Sequence, residues 1–163
     1  MKPMPSSREE ARAFLRARRI ALVGLSRRPN DFSRMVLREL VKRGYDVVPV
    51  HPALQEAEGR RCFARVQDVS PPPEAALLLT PPAVTEVVVR DCAEAGVKKV
   101  WMHRGAGAGA ASEAAIAFCQ ANGIALVRDL CPFMAFPDAG FFPHRLHGLF
   151  RRRHRAREAR AGA

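Results

Sequence analysis

The chain has 163 residues, 48% of them hydrophobic and 26% charged, and its 27 lysines and arginines against 16 acidic residues give a net charge of +11. That length suits one domain able to bury roughly two-thirds of its unfolded surface without a metal or disulfide staple, and the composition excludes a disordered or collagen-like chain. No apolar run approaches the roughly 18 residues of a membrane-spanning helix, and the charged amino terminus lacks the apolar segment of a secretory signal, so a cytoplasmic protein without membrane contact is expected.

In chain order, Ser7 and Glu10 fit a capping box, followed by Ala11, Phe14 and Leu15 at helical spacing. Ile20–Leu25 is a continuous apolar run, as expected of a strand buried on both faces, and it ends at Gly24-Leu25-Ser26. Met35, Val36, Leu37, Leu40 and Val41 mark a helix that begins near Ser33 and stops at Gly44. Asp46–Val50 is a second strand. Its Pro49 removes a ladder donor, which is compatible with an internal strand if pairing has ended by that point. The polar stretch from Ala53 to Pro73 should hold one short piece near Phe63–Val66.

Ala75–Thr80 reads as a third strand, broken by Pro81-Pro82. Val84, Val87, Val88, Cys92 and Ala95 then form the apolar face of a helix closed by Gly96. Lys98–His103 is a fourth strand, Ala111–Asn122 a helix stopped by Gly123, and Ile124–Val127 a fifth strand. Short apolar strands alternating with helices imply right-handed crossovers and a parallel sheet. The fold class is thus α/β: a three-layer Rossmann-like domain with five parallel strands in the order 3-2-1-4-5.

Residues 1–134 are expected to form this domain, and 135–163 an aromatic and then arginine-rich extension. Five of the nine phenylalanines (Phe133, Phe136, Phe141, Phe142 and Phe150) crowd residues 132–150. They are expected to cover a core edge or a partner subunit in a homo-oligomer. Residues 151–163 carry six arginines and one glutamate. Arg151–Arg160 would make a weak contact with nucleic-acid phosphates, if the run does more than confer solubility. Cys62, Cys92, Cys119 and Cys131 show no C-x-x-C pair, so reduced thiols and no metal site are expected.

Open parallel sheets bind ligands outside the carboxyl ends of their strands. At the first exit, Gly24-Leu25-Ser26-Arg27-Arg28-Pro29 runs into a helix and offers amides, a hydroxyl and two guanidiniums to a phosphate. A dinucleotide fingerprint would place glycines where Ser26 and Pro29 stand and a carboxylate where Val50-His51-Pro52 ends the second strand. Both departures weaken an NAD reading, although an NAD(P)- or nucleotide-binding sensor stays an alternative.

Ile20–Ser26, Gly44–Pro52, Gly96–Trp101 and Gly123–Cys131, in that order and spacing, give the chain a resemblance to the small stand-alone CoA-binding domain proteins of Rossmann type. It is similar also to the CoA-binding domain of the succinyl-CoA synthetase α subunit. The resemblance covers roughly residues 8–133. It implies coenzyme A or an acyl-CoA as ligand, with a phosphate held by Gly24, Ser26, Arg27 and Arg28. The adenosine end would lie near His51-Pro52, and Thr80-Pro81-Pro82 would line the other wall. Stand-alone members carry Arg-Pro where this chain has Asp31-Phe32 before Ser33, and Arg34 is expected to supply that phosphate contact. They also carry W-x-Q-x-G where Trp101-Met102-His103-Arg104-Gly105 stands, making His103 a hydrogen-bonding wall residue. The thiol or acyl end would lie near Gly105, whose glycine-rich loop leads to Ser112 as a helix N-cap. No motif names a catalyst, so a non-catalytic or regulatory binding protein is expected.

Overall fold

The computed structural model describes residues 6–103 and 109–137. Gly105, Phe141, Phe142, Phe150 and Arg151–Arg160, with the roles expected of them, lie outside the described residues.

The strands are β1 (Arg19–Val23), β2 (Asp46–Val50), β3 (Glu56–Ala57), β4 (Arg60–Arg61), β5 (Ala75–Leu78), β6 (Lys99–Met102) and β7 (Ala125–Arg128). The helices are α1 (Arg8–Phe14), α2 (Phe32–Lys42), α3 (Pro82–Glu94), α4 (Glu113–Ala121) and α5 (Pro132–Ala135). Five parallel strands form the central sheet in the order β2-β1-β5-β6-β7, and β3 and β4 form a separate antiparallel hairpin. Beyond β2, Phe63 makes a parallel bridge to Val50. With Phe63 counted as the third strand, the sheet reads 3-2-1-4-5 outward, followed by β7. The segment expected as the third strand, 75–78, lies directly beside β1, with Ala21 opposite Ala76.

Alternation along each strand sorts its side chains into two cores. Ala21, Val23, Val48, Leu78, Val100 and Met102 face α3 and α4. Ile20, Leu22, Val47, Leu77 and Trp101 face α1, α2 and α5. Ala135 and Phe136 are buried in this second core, and the ring of Phe136 lies 4.1 Å below the Arg43 guanidinium. Phe133 and Phe136 therefore cover a core edge.

Pairing runs through Pro49, which lies opposite Leu22, and on to Val50 opposite Val23. Pro49 is tolerated for a different reason from the one expected. Its carbonyl accepts from the Phe63 amide at 3.0 Å, so its ring nitrogen, on the same side of the strand, faces away from β1 and no β1 ladder donor is lost.

Most helix ends follow the local signals. Ser7 and Glu10 complete the capping box of α1, and Ser112 caps α4 by accepting from the Ala115 amide at 3.0 Å. Helix α2 is capped by Asp31, two residues before the expected start. The buried stripe of α3 is Thr85, Val88, Val89 and Cys92, rotated from the expected one, and Val84 and Val87 are exposed. Thr85 belongs inside because its hydroxyl meets that of Thr80 at 2.6 Å and the Pro81 carbonyl at 3.2 Å.

Candidate functional site

The carboxyl ends of the strands converge on one edge of the sheet. Gly24 has φ +94°, and a Cβ built on it would lie 2.8 Å from the Leu79 carbonyl carbon. The first and third exits therefore touch through backbone. The His103 amide donates to the Leu78 carbonyl at 3.1 Å, joining the fourth exit to the third. The His103 ring stacks on Phe32 with centroids 4.9 Å apart, which brings the start of α2 against the fourth exit.

The loop after β1 is held from within. Leu25 is buried in the α1–α2 core. The Ser26 amide donates to Ser33 Oγ at 2.9 Å, Ser33 Oγ donates to Asp31 Oδ1 at 2.9 Å, and the Arg28 amide donates to Ser26 Oγ at 3.1 Å. Arg34 Nε donates to the Ser26 carbonyl at 2.8 Å, and its Nη1 reaches Glu58 Oε1 at 3.2 Å. Ser33 and Arg34 are both buried, so their side chains shape the loop. Arg27, Arg28 and Pro29 stand exposed on its crest.

At the second exit Val50 is buried, His51 half-buried and Pro52 exposed. The Ala53 amide donates to His51 Nδ1 at 3.0 Å, which leaves Nε2 as the protonated nitrogen of the neutral ring. Partial burial lowers the pKa of His51, and the charges of Arg27 and Arg34 lower it further. Beside it opens a shallow hollow of about 500 Å³ lined by Pro52, Leu54, Gln55, Arg61 and Cys62, among others. The Arg61 guanidinium lies 4.8 Å from the centre of the Phe63 ring. Burial pushes the Cys62 thiol up, and the nearby His51 backbone and Arg34 only partly oppose it.

At the third exit Thr80 is buried on Thr85, Pro81 is exposed, and Pro82 is half-buried in the first turn of α3. At the fourth, His103 is buried and its Nδ1 lies 3.4 Å from the Leu130 carbonyl. The structure thus gathers the residues of these four exits onto one edge. Within this group Arg27, Arg28, His51, Pro52 and Pro81 face outward, and Ser33, Arg34, Thr80 and His103 form the supporting layer.

Sequence reasoning missed Phe32, Arg38, Glu58, Arg61 and Cys62. Glu58 binds both Arg34 and Arg38, the latter at 3.1 Å, a contact between segments with no local signal. Arg61 and Cys62 were findable only as an extension of the second exit.

Chemically, the edge offers exposed guanidiniums, a rigid loop at the start of a helix and a polar-rimmed hollow, which suits a phosphorylated ligand with a flat ring. The chain is 28% identical over 127 residues to the uncharacterized protein YneT of Bacillus subtilis (strain 168), a match covering 78% of this chain and 91% of that one. Among solved structures, a hypothetical protein from Pyrococcus horikoshii OT3 superposes with a TM-score of 0.74 at 28% identity, covering 83% of this chain and 95% of that one. The dinucleotide-forming acetyl-coenzyme A synthetase 1 of Ca. Korarchaeum cryptofilum superposes with a TM-score of 0.58 at 28% identity, covering 67% of this chain and 25% of the synthetase. The family described as "CoA binding domain" matches residues 18–137, and the chain belongs to that family.

Proposed function

We propose that the protein binds coenzyme A or an acyl-CoA along the carboxyl edge of its sheet, and acts by binding rather than by catalysing a reaction. Arg27 and Arg28 carry this reading: two exposed cations on a loop fixed by internal hydrogen bonds, beside His51. The loop would take the pyrophosphate, with Gly24, Leu25, Ser26, Ser33 and Arg34 holding its shape. The hollow beside His51 and Pro52 would take the adenosine end, with Arg61 near the 3′-phosphate. Pro81 and Pro82 would wall the other side, and the thiol would point toward the Gly105 loop. His103, buried and stacked on Phe32, suits a wall residue better than a catalyst.

The test is titration calorimetry of the purified protein with CoA and with dephospho-CoA. Micromolar binding of CoA, weakened when the 3′-phosphate is missing, is the expected result. Absence of heat with both ligands overturns the proposal. So does mass spectrometry that finds NAD or NADP, and no CoA, released from the purified protein.

A further inference from the structure

The loop Ser26–Pro29 is gripped at both ends by two arginines one helical turn apart on α2. Arg34 Nε donates to the Ser26 carbonyl, and Arg38 Nη2 donates to the Pro29 carbonyl. The same carboxylate braces both, with Glu58 Oε1 3.2 Å from Arg34 Nη1 and Glu58 Oε2 3.1 Å from Arg38 Nε. Glu58 comes from the β3–β4 hairpin, whose turn residues Glu58 and Gly59 both have positive φ, +52° and +71°. A glutamate in that conformation is strained, and asparagine or glycine is the usual occupant. A strained residue whose carboxylate joins two guanidiniums points to a role beyond making the turn.

In a trans peptide unit the C=O and the following N–H point in opposite directions. Holding the Ser26 and Pro29 carbonyls toward α2 therefore turns the Arg27 and Asn30 amides away from it. Neither amide has a partner among the described residues, whereas the Ser26 and Arg28 amides are bonded to Ser33 and Ser26 side chains.

We propose that Glu58, through Arg34 and Arg38, is the positioning residue that presents the Arg27 and Asn30 amides to a phosphoryl group of the ligand. The proposal rests on the reading of this loop as the phosphate-binding element. It makes the hairpin part of the site although Glu58 touches no ligand.

The test compares wild-type protein with Glu58→Asn, which suits the turn, and with Glu58→Gln, which keeps the side chain's length. Hydrogen exchange is measured at the Ser26 and Arg28 amides without ligand, and calorimetry is run with CoA and dephospho-CoA. Both variants should exchange faster at these amides. Both should lose about three- to tenfold in affinity, the range expected when a preorganised loop must be ordered on binding. The loss should be equal for the two ligands, because the clamp acts on the pyrophosphate loop and not on the 3′-phosphate. Unchanged exchange or unchanged affinity overturns the proposal. Tighter binding also overturns it, since removal of a repelling carboxylate alone would give that result. Wild-type protein that gives no heat with CoA removes the ligand reading instead, and the exchange measurement then decides whether the clamp exists.

Discussion

Gly24 and Leu79 approach so closely that a Cβ on the glycine would lie 2.8 Å from the Leu79 carbonyl carbon and 2.9 Å from its oxygen. The contact fixes the spacing between the loop after β1 and the loop after β5, the two exits that would flank a bound nucleotide. It also explains why the first exit keeps one glycine although Ser26 and Pro29 occupy the other fingerprint positions. That glycine answers to its neighbouring backbone and to its own φ of +94°.

Gly24→Ala should therefore be costly. The backbone conformation contributes about 1–3 kcal/mol and the enforced separation of the two loops about 1–3 kcal/mol more. Gly44→Ala is the control, because Gly44 also has positive φ, +86°, but faces open space, and should cost only about 1–2 kcal/mol. Urea denaturation of both variants measures the difference. Equal midpoints would show that the contact with Leu79 carries no weight.

Arg27 and Arg28 are exposed, and neither forms an ion pair among the described residues. Their replacement by alanine should leave the denaturation midpoint almost unmoved. Affinity for CoA should fall by about 1.5–3 kcal/mol for each charged hydrogen bond removed, with a weaker dependence on salt. Calorimetry at two ionic strengths measures both effects. Loss of stability without loss of affinity would assign the pair to the fold instead.

Much of this architecture is legible in the chain because its signals are local. Apolar runs ending at Gly24 and Val50, the Ser7–Glu10 capping box, and the glycine stops at Gly44, Gly96 and Gly123 each depend on residues a few positions apart. The features that escape such reading depend on side-chain and backbone pairings that no local pattern signals. Thr85 joins the buried stripe of α3 because Thr80 meets its hydroxyl, and Pro49 is tolerated because Phe63, not β1, lies on its donor side. The candidate site divides in the same way. Its exposed cations sit on a loop that the strand–turn–helix pattern announces, while Glu58 sits in a two-residue turn whose conformation favours asparagine or glycine. Nothing in a one-dimensional pattern links position 58 to positions 34 and 38.

His51 supplies a pH prediction. Burial first, then the charges of Arg27 and Arg34, hold its pKa below the ordinary 6.5, and protonation of Nδ1 would also set a donor against the Ala53 amide. The folded state thus binds fewer protons than the unfolded chain. The stabilisation is complete above about pH 6.5 and is lost as the pH falls through that value toward the folded pKa. His51→Gln should remove this part of the acid sensitivity, read as a smaller drop in denaturation midpoint between pH 7 and pH 5. An NMR titration of the His51 ring should show its midpoint below 6.5 in free protein. The midpoint should rise when CoA is bound, because a phosphate near Arg27 offsets the positive field. A midpoint unmoved by CoA would mean that the phosphates lie elsewhere.

Cys62 offers a direct reporter of where the adenosine end sits. All four cysteines are buried, but Cys62 borders the open hollow beside Pro52 and Gln55. Cys92 and Cys119 are sealed between α3, α4 and the sheet. Burial pushes the Cys119 thiol up to about 11 and the Cys92 thiol further still. Because the thiolate is the species that reacts, both should stay unmodified in folded protein. Alkylation with iodoacetamide at pH 8, read by peptide mass spectrometry, should therefore mark Cys62 before Cys92 and Cys119. Saturating CoA should slow the reaction at Cys62, because a base seated in the hollow would cover the approach to its sulfur. If Cys62 reacts at the same rate with and without CoA while calorimetry shows the ligand bound, the adenosine end is not in this hollow.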